Sequence, residues 1–208
     1  WETSALELVV VDFDSDGDPD VLARKSGQLS LLENPSGAVP EGLETVSAHG
    51  GALAASDFDG DGLVDLIGSS GRLLYLRRLA DLSFAAPVNV TQGLGIPWSI
   101  DVADLDIDGT DELLLTGYGS APAVLHRGAE GFEVSASVGE PGDVLMATGD
   151  LDGDGRPELL LKRTKSLDWV DWDSTAGQAG ARHAIAALAS GPVSVWVADL
   201  DADGRNDV

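Results

Sequence analysis

The chain has 208 residues, 43% of them hydrophobic, enough for a real core, and carries 36 acidic against 12 basic side chains for a formal charge of −24. A charge this negative argues against nucleic acid and against insertion into anionic membranes, and no apolar run reaches the roughly 18 residues of a spanning helix. The absence of Cys excludes disulfides, thiolate metal sites and a Cys nucleophile.

The chain opens at Trp1 with neither Met nor a signal-type segment and reads as a processed or excised piece. A first unit, about 5–50, begins with the apolar run LELVVVDF (6–13) and enters the acidic loop DFDSDGDPD (12–20). Strand-like runs DVLARKS (20–26), QLSLLEN (28–34) and LETVSAH (43–49) follow. The second unit, 51–95, repeats the plan with ALAASDF (52–58), the loop DFDGDGLVD (57–65), DLIGSS (65–70), RLLYLRRL (72–79) and APVNVT (86–91). The third, 96–140, has SIDVADL (99–105), DLDIDGTDE (104–112), ELLLTGY (112–118), APAVLHRG (121–128) and FEVSASV (132–138). In the fourth, 141–190, DVLMATGDL (143–151) leads into DLDGDGRPE (150–158), then ELLLKR (158–163), SLDWVDWD (166–173) and RHAIAALA (182–189). The fifth, 191–208, holds only VSVWVADL (193–200) and DLDADGRND (199–207). Gly, Pro, Ser and Asn punctuate the joins, and AIAALA (184–189) alone is open to a helical reading.

Four strand-like runs per 45 to 49 residues is the size of one propeller blade, so the fold expected is an all-β propeller of four-stranded blades. Four complete units and a fragment make about 4.4 blades. The expectation is therefore part of a larger propeller, completed by further chain or another subunit.

The five loops share the pattern D-x-D-x-D-G-x-x-[DE]. Asp and Gly each fill 26 of 208 positions, so chance would place three Asp and a Gly at these offsets about 0.05 times in the chain. Loop positions 1, 3, 5 and 9 hold 20 of the 36 acids. Position 6 is always Gly, which supplies the positive φ of a sharp turn. Position 7 is Asp18, Leu63, Thr110, Arg156 or Arg205, so only its main-chain carbonyl can play a common part. Converging carboxylates with a carbonyl make an oxygen cage for a hard cation, and Ca²⁺ takes 6 to 8 such ligands where Mg²⁺ resists an all-protein cage. An acidic turn with no ligand is the plainer alternative. EF-hands are excluded, because position 12 is Ala23, Gly68, Leu115 and Leu161 instead of Glu.

Loops and context together resemble the FG-GAP or VCBS repeat of secreted bacterial proteins and of the integrin α-subunit propeller. The resemblance implies up to five Ca²⁺ sites, each in a loop joining the first two strands of a blade. Carried over, the ligands are Asp12, Asp14, Asp16 and Asp20; Asp57, Asp59, Asp61 and Asp65; Asp104, Asp106, Asp108 and Glu112; Asp150, Asp152, Asp154 and Glu158; and Asp199, Asp201, Asp203 and Asp207. Two departures stand out. The Gly-Ala-Pro signature is missing, with Gly68-Ser69-Ser70 and Gly117-Tyr118-Gly119 near its place, and Glu replaces Asp at 112 and 158.

No nucleophile elbow, phosphate loop or dinucleotide fingerprint is present, and His49, His126 and His183 stand in different repeats. The expectation is a non-enzymatic, extracellular or periplasmic Ca²⁺ module that binds a protein or glycan. A lectin or scaffold of a polysaccharide-acting enzyme, and a structural subunit of a secreted assembly, are the alternatives. In a strand Trp169 and Trp172 face opposite sides, so that one is buried and the other free to stack a sugar, or both fill space between blades. Trp98 and Trp196 read as core.

Overall fold

The computed structural model describes residues 6–25, 28–32, 52–69, 72–81, 83–90, 95, 97–117, 120–128, 131–188, 195–201 and 205–208. The run at 43–49, His49 and Asp203 lie outside them.

Strands form where apolar and β-branched residues run between the loops: β1 (Leu6–Val11), β2 (Asp20–Lys25), β3 (Gln28–Leu32), β4 (Leu53–Ser56), β5 (Asp65–Ser69), β6 (Leu73–Leu76) and β7 (Val88–Asn89). Then come β8 (Pro97–Ala103), β9 (Glu112–Gly117), β10 (Ala123–Gly128), β11 (Gly131–Ser137), β12 (Val144–Gly149), β13 (Glu158–Arg163), β14 (Ser166–Asp173) and β15 (Gln178–Ala187). They pair antiparallel in chain order as β1-β2-β3, β4-β5-β6-β7, β8-β9-β10-β11 and β12-β13-β14-β15, the plan of propeller blades. No helix occurs among the described residues.

Register places the loops. Each of the first four joins the first and second strands of its sheet, and its ninth residue starts the second strand. Val11 faces Asp20, Ser56 faces Asp65 and Gly149 faces Glu158. The second strands are the most deeply set: every residue of β5 is buried, as are the first five of β9. Burial on both faces explains why Asp65-Leu66-Ile67 and Glu112-Leu113-Leu114-Leu115 read as continuous apolar runs after the acid, without alternation.

The chain divides into two compact units, Trp1–Ile100 and Asp101–Val208. In the first, Phe13, Leu22, Leu53, Val64, Leu66 and Leu76 form the core. A buried guanidinium lies against it. The Arg78 guanidinium is 4.3 Å above the Phe13 ring, its Nη1 donates to the Phe13 carbonyl, and its Nε and Nη2 are buried without a partner. Burial pushes the Arg78 pKa down. In the second unit, Leu105, Leu114, Leu145, Leu159, Leu161, Val170 and Trp172 pack together. There buried Asp143 accepts from Arg163 Nε at 3.0 Å and Arg182 Nη2 at 2.8 Å, tying β13 and β15 to the segment before β12.

Several expectations change. Trp98 is 42% exposed, because β8 buries Pro97 and Ile100 and turns Trp98 outward. Trp196 is 84% exposed: among the described residues the fifth repeat forms only the isolated bridge of Ala198 with Asp207, with no paired strand whose face Trp196 can cover. Among the described residues of APVNVT only Val88–Asn89 is strand, whereas residues 184–187 of AIAALA belong to the ten-residue strand β15. Trp172 is buried, and Trp169 stacks on His183 with ring centroids 3.9 Å apart.

Loop position 2 anchors the first three loops to the interior: Phe13, Phe58 and Leu105 are fully buried, whereas Leu151 is half-buried and Leu200 exposed. Phe13→Ala is expected to cost about 3–5 kcal/mol, the range for a buried Phe truncated to Ala. A denaturant midpoint within experimental error of the parent's would contradict this.

Candidate metal centres

The four loops with described turns adopt one backbone form. Positions 4 and 6 both have positive φ: 62° and 94° at Ser15 and Gly17, 72° and 85° at Gly60 and Gly62, 60° and 93° at Ile107 and Gly109, 83° and 87° at Gly153 and Gly155. Position 6 is therefore Gly for the reason the pattern suggested. Position 4 carries the same requirement without a fixed residue type, with Gly60 and Gly153 in two loops and Ser15 and Ile107 in the others. At Ile107 a β-branched side chain accepts a conformation costing about 1–2 kcal/mol, so the loop dictates the backbone against local preference.

What dictates it is a set of hydrogen bonds from amides to carboxylates. The position-1 Asp takes the amide of position 6 on Oδ2 at 3.0, 2.8, 3.0 and 2.9 Å in loops 1 to 4. Its Oδ1 takes the amide of position 5 in loops 1 to 3, and of Gly153 in loop 4 at 2.7 Å. The position-5 Asp accepts the amide of position 7, from Asp18, Leu63, Thr110 and Arg156. The last acid reaches back to the amide of position 2: Asp20 to Phe13 at 2.9 Å, Glu112 to Leu105 at 2.8 Å, Glu158 to Leu151 at 2.7 Å and Asp207 to Leu200 at 3.0 Å. The longer Glu at 112 and 158 reaches the same donor as Asp elsewhere.

These bonds gather ligand-type oxygens. Asp12, Asp14 and Asp20 bring one oxygen each within 4.8 Å of one another, as do Asp57, Asp59 and Asp61, Asp104, Asp106 and Asp108, Asp150, Asp152 and Glu158, and Asp199, Asp201 and Asp207. Within the first four loops the remaining acid of the expected set lies outside the triad: Asp16, Asp65, Glu112 and Asp154. Side chains at position 7 share no role. Thr110 Oγ1 donates to Asp108 and Arg156 Nη1 to Ser174 Oγ. Asp18 and Arg205 are exposed and Leu63 half-buried.

The electrostatics ask for a cation. Burial, then the charges of Asp106, Asp108 and Asp104, push Glu112 up to about 7. Burial, with smaller contributions from Asp152 and Asp154, raises Glu158 to about 6, and burial raises Asp65 to about 6. In loop 2, Asp59 Oδ1 is buried with no hydrogen-bond partner. An anionic oxygen so placed fits a ligand to a hard cation and is unfavourable otherwise. Sequence reasoning missed three residues around that loop. Tyr75 Oη and the Arg78 amide, each at 2.7 Å, donate to Asp65, and the Arg77 guanidinium pairs with Asp59 and Asp61. The signal available was the Arg77-Arg78 pair directly after an apolar strand.

A second feature lies in the second unit. A cleft of about 450 Å³ is lined by Asp106, Asp108, His126, Arg127, Trp172 and Thr175, among others. His126 Nδ1 is 2.7 Å from Ser135 Oγ, and Arg127 lies 5.4 Å from the Phe132 ring centre.

Antiparallel four-stranded blades with an acidic loop between their first two strands define a β-propeller repeat protein. The FG-GAP-like repeat matches residues 12–68, 57–115 and 150–208, well over half of the chain, and the chain belongs to that family. Among solved structures it is similar to a lectin of Agrocybe aegerita described as recognising non-reducing terminal N-acetylglucosamine. The likeness has a TM-score of 0.66 at 15% identity, over 100% of this chain and 61% of that one, and it supports the fold. The chain thus spans less than two thirds of that lectin. A likeness to the Tc holotoxin pore of Photorhabdus luminescens, with a TM-score of 0.48, 18% identity, and 98% and 11% coverage, carries no argument. No curated protein sequence matches the chain.

Backbone strain is directly testable. Gly109 has φ 93° and an added Cβ would meet nothing within 4 Å, so Gly109→Ala is expected to cost about 1–2 kcal/mol from conformation alone. Ile107→Gly should instead raise the melting temperature. Opposite signs in one denaturation series check the pair.

The acids give a pH dependence. Raised carboxylate pKa values mean the folded chain holds protons more tightly than the unfolded one, so stability from these groups is full below about pH 4.5 and lost as pH climbs through 6 to 7. In chelator the melting temperature should fall between pH 5 and pH 8, as read by circular dichroism at several pH values.

Proposed function

We propose that the chain is a calcium-binding extracellular propeller module that presents a ligand surface and has no catalytic role of its own. The observation carrying this reading is the recurrence of a carboxylate triad, with oxygens within 4.8 Å, in all five loops. Asp12, Asp57, Asp104, Asp150 and Asp199 would hold the ion with the position-3 Asp and one further acid of the same loop. The bound ion would supply positive charge to these oxygens, which in loop 2 are met by the Arg77 guanidinium.

We infer an extracellular setting on the premise that these sites are as weak as other calcium modules of that compartment. Calcium modules of that compartment have dissociation constants of roughly 10⁻⁴–10⁻³ M. Such sites fill at millimolar calcium and stay vacant at cytosolic levels. No helix among the described residues is long and apolar enough to cross a membrane.

The cleft of the second unit favours a glycan over a protein as the ligand. Beside the third loop, His126, Arg127 and Thr175 offer donors, and Trp172 adds an apolar wall. That mixture suits a small polyhydroxylated group. A glycan array with the calcium-loaded protein tests this reading. Binding abolished by Arg127→Ala with the melting temperature unchanged would support the cleft, and an array without hits would sink the glycan reading.

The calcium reading is tested by melting in excess chelator and in millimolar Ca²⁺. Mass action predicts about 0.4–1.4 kcal/mol per site at 1 mM, or about 2–7 kcal/mol for five independent sites. A rise in midpoint with Ca²⁺ is expected. Equal midpoints would reduce the loops to acidic turns.

A further inference from the structure

The second loop is distinguished by what stands against its carboxylates. Arg77 Nε donates to Asp59 Oδ2, and Arg77 Nη2 donates to Asp61 Oδ2 at 2.8 Å. The Asp57 oxygens take the amides of Gly60, Asp61 and Gly62, and Asp61 Oδ1 takes that of Leu63. Five of the six oxygens of this triad are therefore engaged, and the sixth, Asp59 Oδ1, is the buried one without a partner. Asp65 is drawn off to Tyr75 Oη and the Arg78 amide. Among the described residues, no Lys or Arg side chain pairs with Asp104, Asp106, Asp108, Asp150, Asp152 or Asp154.

Arg77 is held at this place by its backbone. Its carbonyl accepts the Ala85 amide at 2.8 Å, and the next residue, Arg78, turns into the core. Extended chain sends successive side chains to opposite sides, so a buried Arg78 aims Arg77 outward at the loop. Asp61 first, and Asp59 after it, raise the Arg77 pKa, which keeps the guanidinium charged at any physiological pH.

We propose that Arg77 is a resident counter-cation of the second loop, which calcium must displace to bind there. The inference rests on the reading of the loops as calcium sites. Guanidinium and metal ion compete for the same two carboxylates, those of Asp59 and Asp61. The ion has the larger charge, but the guanidinium is tethered, and a short tether gives an effective concentration in the millimolar range. That is the range of the calcium it faces. Loop 2 consequently fills later than loops 3 and 4, and its filling releases a cation at the surface.

The amides of Gly62, Gly109 and Gly155 each bond to the first Asp of their own loop, so each reports on one site. Titrating Ca²⁺ into the ¹⁵N-labelled protein should move the Gly62 resonance with a midpoint about tenfold above those of Gly109 and Gly155. In R77Q, whose altered side chain is half-exposed in the parent, the Gly62 midpoint should fall about tenfold while the other two stay in place. Resonances from the rest of the sheet that superimpose on the parent's confirm that the variant is folded. A Gly62 midpoint equal in parent and R77Q, with Gly109 and Gly155 responding, overturns this inference alone. If none of the three glycines responds, the calcium reading falls and this inference with it.

Discussion

Like charge crowded into a turn is the constraint on which the rest of this structure depends. Two unit charges about 4 Å apart repel by about 1 kcal/mol in water and about 4 kcal/mol near a protein surface. Each loop gathers three carboxylate oxygens within 4.8 Å. Main-chain amides of the same loop answer that repulsion, and they converge only if the backbone takes positive φ at positions 4 and 6. The same amides would otherwise be left unpaired in a turn that no ladder satisfies. Folding the loop and collecting the oxygens are one event.

The blades follow from how the loops are pinned. In the first three loops a buried apolar residue at position 2 fixes one end, and the acid at position 9 opens the buried second strand at the other. Its bond to the amide of position 2 closes the loop across the first strand pair in the first, third and fourth sheets. The local cage and the sheet register are therefore set by the same two residues. This is how a repeat of some 47 residues carries both a site and the means of placing it.

Much of this was legible in the sequence because loop and strand signals are local. The five acidic patterns, the Gly at position 6 and the apolar runs all act within nine residues of one another. Tertiary answers were not legible. Nothing in RLLYLRRL says that Tyr75 and Arg78 occupy Asp65, or that Arg77 faces Asp59. Trp98 and Trp196 read as core because indoles favour burial, but the first stands on the outer face of β8 and the second beside a lone bridge. Ser15 and Ile107 show the converse: residues with no taste for positive φ adopt it because the hydrogen bonds of the loop outweigh their preference.

The adjacent arginines also act as a ruler. Arg78 lies under the Phe13 ring while Arg77 lies over the acidic loop, and Arg78 pairs with Phe84 across a short return of the chain. The Leu79 amide donating to the Ser83 carbonyl at 2.8 Å closes that return. Sliding this segment by one residue would exchange the two side chains. It would strip the Phe13 carbonyl of its guanidinium donor and leave Asp59 and Asp61 facing the wrong side chain. Two neighbouring charges with incompatible destinations thus admit a single alignment of the hairpin, and they do so with polar groups where a sheet ordinarily relies on its apolar pattern.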